Sequence, residues 1–137
     1  MSSWRKFFLS LAALLVSFLI AVAFIVNGVL SRAPDVSKKS PYGHYLIESV
    51  PASSILTPRD SVYLRFTDLN DPGHVYRTPL FSDVSLDMTA DESEDAVSVV
   101  FITLDKKSKE FTLALSNPRK HWMDLFISNT PYEILEN

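Results

Sequence analysis

Cysteine is absent from this 137-residue chain. That excludes disulfides, an acylated lipoprotein cysteine, thiolate metal sites and cysteine nucleophiles. It leaves the redox compartment open, because an oxidising space permits disulfides without requiring them. Glycine is scarce, with three residues in all, and neither a Gly-rich phosphate loop nor a G-x-S-x-G elbow occurs. His44, His74 and His121 are the whole histidine set, and no two have the i, i+4 spacing of a helical metal site. Acidic residues are missing from the first 33 positions, while Arg5, Lys6 and Arg32 lie there. The remainder carries 10 basic and 16 acidic residues, a net of −6. A surface of that sign argues against nucleic acid as a partner. It equally argues against the domain adhering by charge to anionic lipid.

Residues 7–30, FFLSLAALLVSFLIAVAFIVNGVL, contain no charge over 24 positions. A helix of roughly 20 apolar residues crosses a hydrocarbon core of about 30 Å, and it satisfies its own backbone there. Trp4 suits the headgroup level. Small residues Ala12, Ala13 and Ser17 would let a second helix approach, although such residues are also ordinary filler in membrane helices. The competing reading is a cleaved signal peptide, with Arg5 and Lys6 as its basic start and Ala21-Val22-Ala23 as a cleavage site. A signal core is usually 7–15 residues, and this run continues to Leu30, which favours an uncleaved anchor. Positive charges flank both ends, so the positive-inside rule is close to a tie. The short tail ahead of the helix suggests a signal-anchor with its C-terminal part exported.

The chain then divides into a tail at 1–6, a membrane helix at 7–30, a linker at 31–41 and a mostly β extramembrane domain at 42–137. The linker SRAPDVSKKSP has no apolar periodicity. Residues 42–50 read as a strand with Tyr45 and Ile47 on one face and Leu46 and Val50 on the other. A loop at 51–58 comes next. Over 61–69, Val62, Leu64 and Phe66 alternate with Tyr63, Arg65 and Thr67, the period of a half-buried strand. Asn70-Asp71-Pro72-Gly73 should reverse the chain. Residues 75–78 suggest a short strand stopped by Pro79, and 80–89 another alternating strand. The run AVSVVFITL at 96–104 is apolar on both faces and reads as one central strand. A polar turn at 105–109 then leads into 110–115, with Phe111, Leu113 and Leu115 inward, completing a hairpin. Asn117-Pro118 resembles a helix start, so a short helix is expected over 118–128 and a last strand over 132–135. The fold class is therefore one transmembrane helix and, after it, a mainly β domain. That domain is an antiparallel sheet or sandwich, or an α+β layer with one short C-terminal helix.

No catalytic constellation emerges, and no cofactor or metal is expected. Asp71 or Asp83 beside His74 could contribute to a zinc site only through distant partners, and carboxylates beside a turn are ordinary capping groups. The acidic stretch Asp91, Glu92, Glu94 and Asp95 could attract a basic partner, against the plain reading of a solvated loop. It lacks the spacing of a Ca²⁺ loop. Tyr42, Tyr45, Tyr63, Tyr76, Phe81, Trp122 and Tyr132 are too many for one small core, so either some are exposed anchors of an interface or they pack at sheet edges with their polar tips in water. Tyr63, Tyr76 and Phe81, with the four acidic residues, are the candidate partner-binding set.

This layout resembles that of small bacterial inner-membrane proteins with one N-terminal anchor and a periplasmic β-rich domain, a form common among immunity proteins against secreted toxins. The resemblance rests on architecture across the whole chain. It implies a non-enzymatic, single-pass membrane protein whose periplasmic domain binds another protein, with toxin neutralisation as one version. An accessory subunit acting partly through its helix is the alternative, and a small hydrolase or metal-dependent enzyme a second.

Overall fold

A computed structural model describes residues 2–82, 89–99, 101–115 and 121–136. The apolar run forms a single helix, α1 (Ser3–Leu30), of 28 residues. An 18-residue stretch within it reaches a mean hydropathy of 2.9, so by length and composition it can cross a membrane. Residues 3–21 are exposed all round. The last turns differ. Val22 and Val29 are buried, and Ile25, Val26 and Leu30 are partly covered. These five positions follow i, i+3, i+4, i+7 and i+8, one stripe of a helix.

Two five-stranded sheets make up the rest of the fold. The first runs β1 (Val36–Lys39), β2 (Tyr45–Pro51), β3 (Ser61–Asp68), β4 (Val75–Arg77), with β5 (Phe81–Ser82) also pairing β3. All its pairings are antiparallel. Pro79 interrupts the ladder beside β3 because it has no N–H to donate. Thr78 bridges the gap: its N–H donates to Leu64 O at 3.0 Å and its hydroxyl accepts from Leu64 N–H at 2.9 Å. The second sheet runs β10 (Tyr132–Glu136), β9 (Phe111–Leu115), β8 (Ile102–Asp105), β7 (Ala96–Val99), β6 (Ala90–Glu92).

The expected alternation of β3 is present and is used on both faces. Val62, Leu64 and Phe66 enter the core between the sheets, with Ile47 from β2 and with Ile102, Leu104, Phe111 and Leu113 from the second sheet. Phe66 and Phe111 meet edge to face at 5.2 Å, a favourable aromatic geometry. Tyr63 points the other way, into a second core with Val50, Leu80, the buried stripe of α1, and Met123 and Ile127. The last two belong to or adjoin α2 (Asp124–Ile127). The domain therefore has three layers, and the end of α1 is part of the third.

Several expectations need correction. The run 96–104 is two strands, because Val99 pairs with Ile102 and the chain reverses between them. Both faces of the run are apolar and no turn residue marks the break, so periodicity could not find it. The segment read as a linker contains β1, paired along four residues with β2 and exposed throughout. A strand that buries neither face shows no alternation, and Lys38 and Lys39 suit its edge position. The expected terminal strand is present, but β10 runs parallel to β9. A parallel neighbour needs a crossover, and α2 lies on the connection from β9 to β10. Of the strand expected over 80–89, β5 is described and residues 83–88 lie outside the described residues. Of the helix expected over 118–128, α2 is the described part, and residues 116–120 lie outside.

The strand directions define two ends. Tyr63 hydroxyl donates to Val29 O at 3.1 Å and Arg65 Nη1 to Leu30 O at 3.3 Å. These bonds place the end of α1 against the middle of β3, and Leu56 of the β2–β3 loop packs in the same core as Val22, Ile25 and Val26, so the free part of α1 projects past the Ser61 end of β3. The β2–β3 loop lies at that near end. The β1–β2 and β3–β4 turns lie at the far end.

Candidate functional site

The far end is built from turns. Between β1 and β2, Gly43 takes φ +75°, a left-handed conformation open to glycine without steric cost. The bend aims the Tyr42 N–H at Glu92 Oε1, 2.6 Å away on β6 of the other sheet. Lys106 Nζ lies 2.8 Å from Glu92 Oε2, and His44 Nδ1 lies 3.3 Å from the same oxygen. Lys106 also donates to Ser93 O at 2.6 Å and sits over the Tyr42 ring at 5.3 Å. The Glu92 side chain is fully buried beneath these partners.

Lys106 belongs to the β8–β9 turn, which Asp105 organises by accepting the N–H groups of Lys107 and Ser108 at 2.8 and 2.9 Å. Those two bonds, Ser108 first, hold the Asp105 carboxyl below its ordinary range. The turn closes with Lys109 at φ 57°, a region L residues enter at a cost. Lys109 Nζ crosses to the first sheet and donates to Tyr45 hydroxyl at 2.9 Å, over the rings of Tyr45 and Tyr76. That bond raises the Lys109 ammonium above its ordinary range. Two lysines of one turn thus clamp the two sheets together at the far end.

Burial alone would raise the Glu92 carboxyl, but hydrogen bonds from Lys106, Ser40 and the Tyr42 N–H outweigh it and hold it below its ordinary 4.5. A carboxylate stabilised in the folded state contributes its full stability above that ordinary value and loses it as pH falls through the lower folded one. Glu92→Gln is therefore expected to lower stability by about 2 kcal/mol at neutral pH, the worth of hydrogen bonds to a charged group. The gap to the parent chain should close as the pH drops below 4.5. Urea midpoints across that range check it. A gap independent of pH would show that the Glu92 charge plays no part.

The seven candidate residues do not form one patch. Tyr63 is 0 % exposed, in the helix-facing core. Phe81 is buried between the sheets, edge to face with Phe101. Tyr76 is half-buried beneath Lys109. The Glu92 side chain is the buried centre of the clamp. Asp91, Glu94 and Asp95 are exposed, and the turn holding the last two is fixed by Ser93 Oγ, which accepts from Asp95 and Ala96 N–H at 3.2 and 3.1 Å. More aromatics fit inside than one core could hold, because the helix creates a second. Tyr42 and Trp122 do remain outside, at opposite ends.

Sequence reasoning missed Lys106, Lys109 and His44 as neighbours of the acidic stretch. Two lysines three apart in DKKSK were the one signal, but their partners are distant in sequence. His74 and Asp71 pair within their own exposed turn, Nδ1 to Oδ2 at 2.5 Å, and Asp83 lies outside the described residues. Among the described residues, no three of His, Asp and Glu converge where a metal ion could be held. What remains at the far end is a polar crown in which Asp91, Glu94, Asp95 and the Tyr42 ring are exposed. No family model matches this chain, and no match to it was found among the curated proteins or the solved structures.

Proposed function

We propose that this chain is a non-enzymatic, membrane-anchored protein-binding module of the bacterial inner membrane, with its domain in the periplasm. The observation that supports it is the division of the domain into two unlike ends. The anchor leaves from one end, and at the other Asp91 on β6 and Glu94 and Asp95 on the following turn stand exposed beside the clamp made by Lys106 and Lys109. Because the last turns of α1 pack into the domain, the crown is held at a fixed height and attitude above the bilayer. That confines the search for a partner to a thin layer and leaves little conformational freedom to lose on binding. An acidic crown suits a basic partner surface, and an incoming toxin is one such partner.

The test uses the absence of native cysteine. Lys107→Cys places one thiol on the exposed β8–β9 turn. Intact cells are treated with a membrane-impermeant, photo-crosslinking maleimide. The expected result is labelling and a discrete cross-linked protein, lost when Asp91, Glu94 and Asp95 are changed to lysine. No labelling would put the domain on the inner side. An adduct indifferent to the charge reversal would remove the crown as the binding surface. A second reading, an accessory subunit, draws on Ala12, Ala13 and Ser17, which are exposed on the free part of α1. It is favoured if the adduct survives charge reversal and disappears when residues 3–21 are replaced by an unrelated apolar helix.

A further inference from the structure

The near end carries a feature that neither the anchor nor the crown accounts for. Ile55, in the β2–β3 loop, is 89 % exposed, and Leu125 on α2 is 82 % exposed. Trp122 and Phe126 flank Leu125, are also exposed, and pack edge to face at 6.2 Å. Large apolar side chains exposed singly are common on protein surfaces, but grouped at one end they mark a contact surface.

The placement of α2 follows from its bonds. Leu80 N–H donates to Asp124 Oδ1 at 2.8 Å, next to β5 and the start of β3. Arg77 Nε donates to Ile127 O at 2.8 Å, farther along β3. So α2 begins at the near end and runs away from it, which puts Trp122 at the near end. Leu56, adjacent to Ile55, packs in the same core as the stripe of α1, and α2 itself touches α1. The apolar group therefore lies at the end of the domain from which the free helix leaves.

Length supplies a second argument. Docking from Val22 onward leaves residues 3–21 free, about 28 Å of helix at 1.5 Å per residue. That is barely the thickness of a hydrocarbon core of about 30 Å. If α1 spans, the near end cannot stand off the bilayer. It must reach the headgroup layer, where tryptophan is favoured and apolar side chains are covered.

We propose that the domain has a second membrane contact, in which Trp122 just before α2, Leu125 and Phe126 of α2, and Ile55 of the β2–β3 loop insert into the interface of the bilayer that α1 crosses. The occupant is lipid, held by apolar burial and not by charge, which agrees with the acidic balance of the outer residues. The inference rests on α1 being a membrane helix.

The experiment uses the full chain in nanodiscs of uncharged phosphatidylcholine, with one nitroxide at a time. Ile55→Cys and Leu125→Cys report the patch, Leu14→Cys the helix and Glu94→Cys the crown, all at exposed positions. Collision rates with oxygen, which concentrates in lipid, are compared with those of a water-soluble nickel chelate. Oxygen is expected to dominate at Leu14, Ile55 and Leu125, and the chelate at Glu94. Chelate dominance at Ile55 and Leu125 with oxygen dominance at Leu14 would overturn the contact while leaving the anchor intact. Chelate dominance at Leu14 as well would overturn the anchor. Protection from both agents at Ile55 and Leu125, or spin–spin broadening there, would assign the patch to a protein or to a second copy and overturn the lipid contact.

Discussion

A shortened chain that begins at Ser31 is expected to be far less stable than one that begins at Val22, although both lack most of the apolar helix α1. The nine residues between those starts include Val22 and Val29, both buried, and the partly covered Ile25, Val26 and Leu30. Complete burial of one valine is worth about 1.5–3 kcal/mol, so the stripe as a whole should contribute about 5 kcal/mol or more. That is comparable to the entire stability of a small domain, about 5–15 kcal/mol. Removal also uncovers Tyr63 and takes away the carbonyls that its hydroxyl and the Arg65 guanidinium reach. Urea unfolding in matched mild detergent measures the difference. Equal midpoints for the two chains would mean that α1 is a tether and nothing more. The result bears on any test of a soluble form of the domain: lost activity after cutting at Ser31 would report unfolding before it reported loss of membrane attachment.

Arg65 carries the second large effect. It sits opposite Glu48 in the β2–β3 register and donates through Nε and Nη2 to the two carboxylate oxygens at 3.0 and 3.2 Å. Both side chains are mostly covered, so this is a forked pair with limited access to water. The bond to Glu48 raises the Arg65 guanidinium above its ordinary range. Nearby Arg77, its cross-strand neighbour, is lowered by burial. Arg65→Leu would leave Glu48 without its partner, at a cost of about 3 kcal/mol, the low end for a broken buried pair. Adding Glu48→Leu should recover most of the loss, since two apolar groups replace two charges. Recovery should stop short by about 1 kcal/mol, the worth of the bond to Leu30 O. Thermal or urea unfolding of the two single variants and the double variant closes the cycle. A double variant no more stable than Arg65→Leu would show that the loss does not come from the stranded carboxylate.

The local order of the β domain was legible because exposure alternates along its strands. In β3, Val62, Leu64 and Phe66 face one core and Tyr63 the other, as their spacing implies. The turns at 70–73 and 105–109 carry the residues turns require. The stripe Val22, Ile25, Val26, Val29 was also present to be read, but it lies inside a run where every position is apolar. A hydrophobic pattern has no contrast there, and the start of the docked part cannot be seen. Asn27 and Gly28, exposed beside that stripe, are the one local sign that the run changes its surroundings before Leu30.

The candidate site was less legible. Asp91, Glu92, Glu94 and Asp95 look equivalent in sequence, yet the Glu92 side chain is buried and the other three residues are exposed. Strand alternation separates Glu92 from Asp91, and Ser40, Tyr42, His44 and Lys106, most of them far away in sequence, make burial of a carboxylate tolerable. Tyr63 looked surplus to one core and is placed inside by a second layer, while Phe81 is taken up by the core between the sheets.

Composition and periodicity alone settle the apolar helix, the β character of the remaining chain and the faces of its longest strand, because these depend on neighbours in the chain. Tertiary structure alone settles the two-sheet pairing, the parallel β10, the clamp around Glu92 and the docking of α1 into the domain. Each of these depends on groups far apart in sequence whose interactions exist only once the sheets have formed.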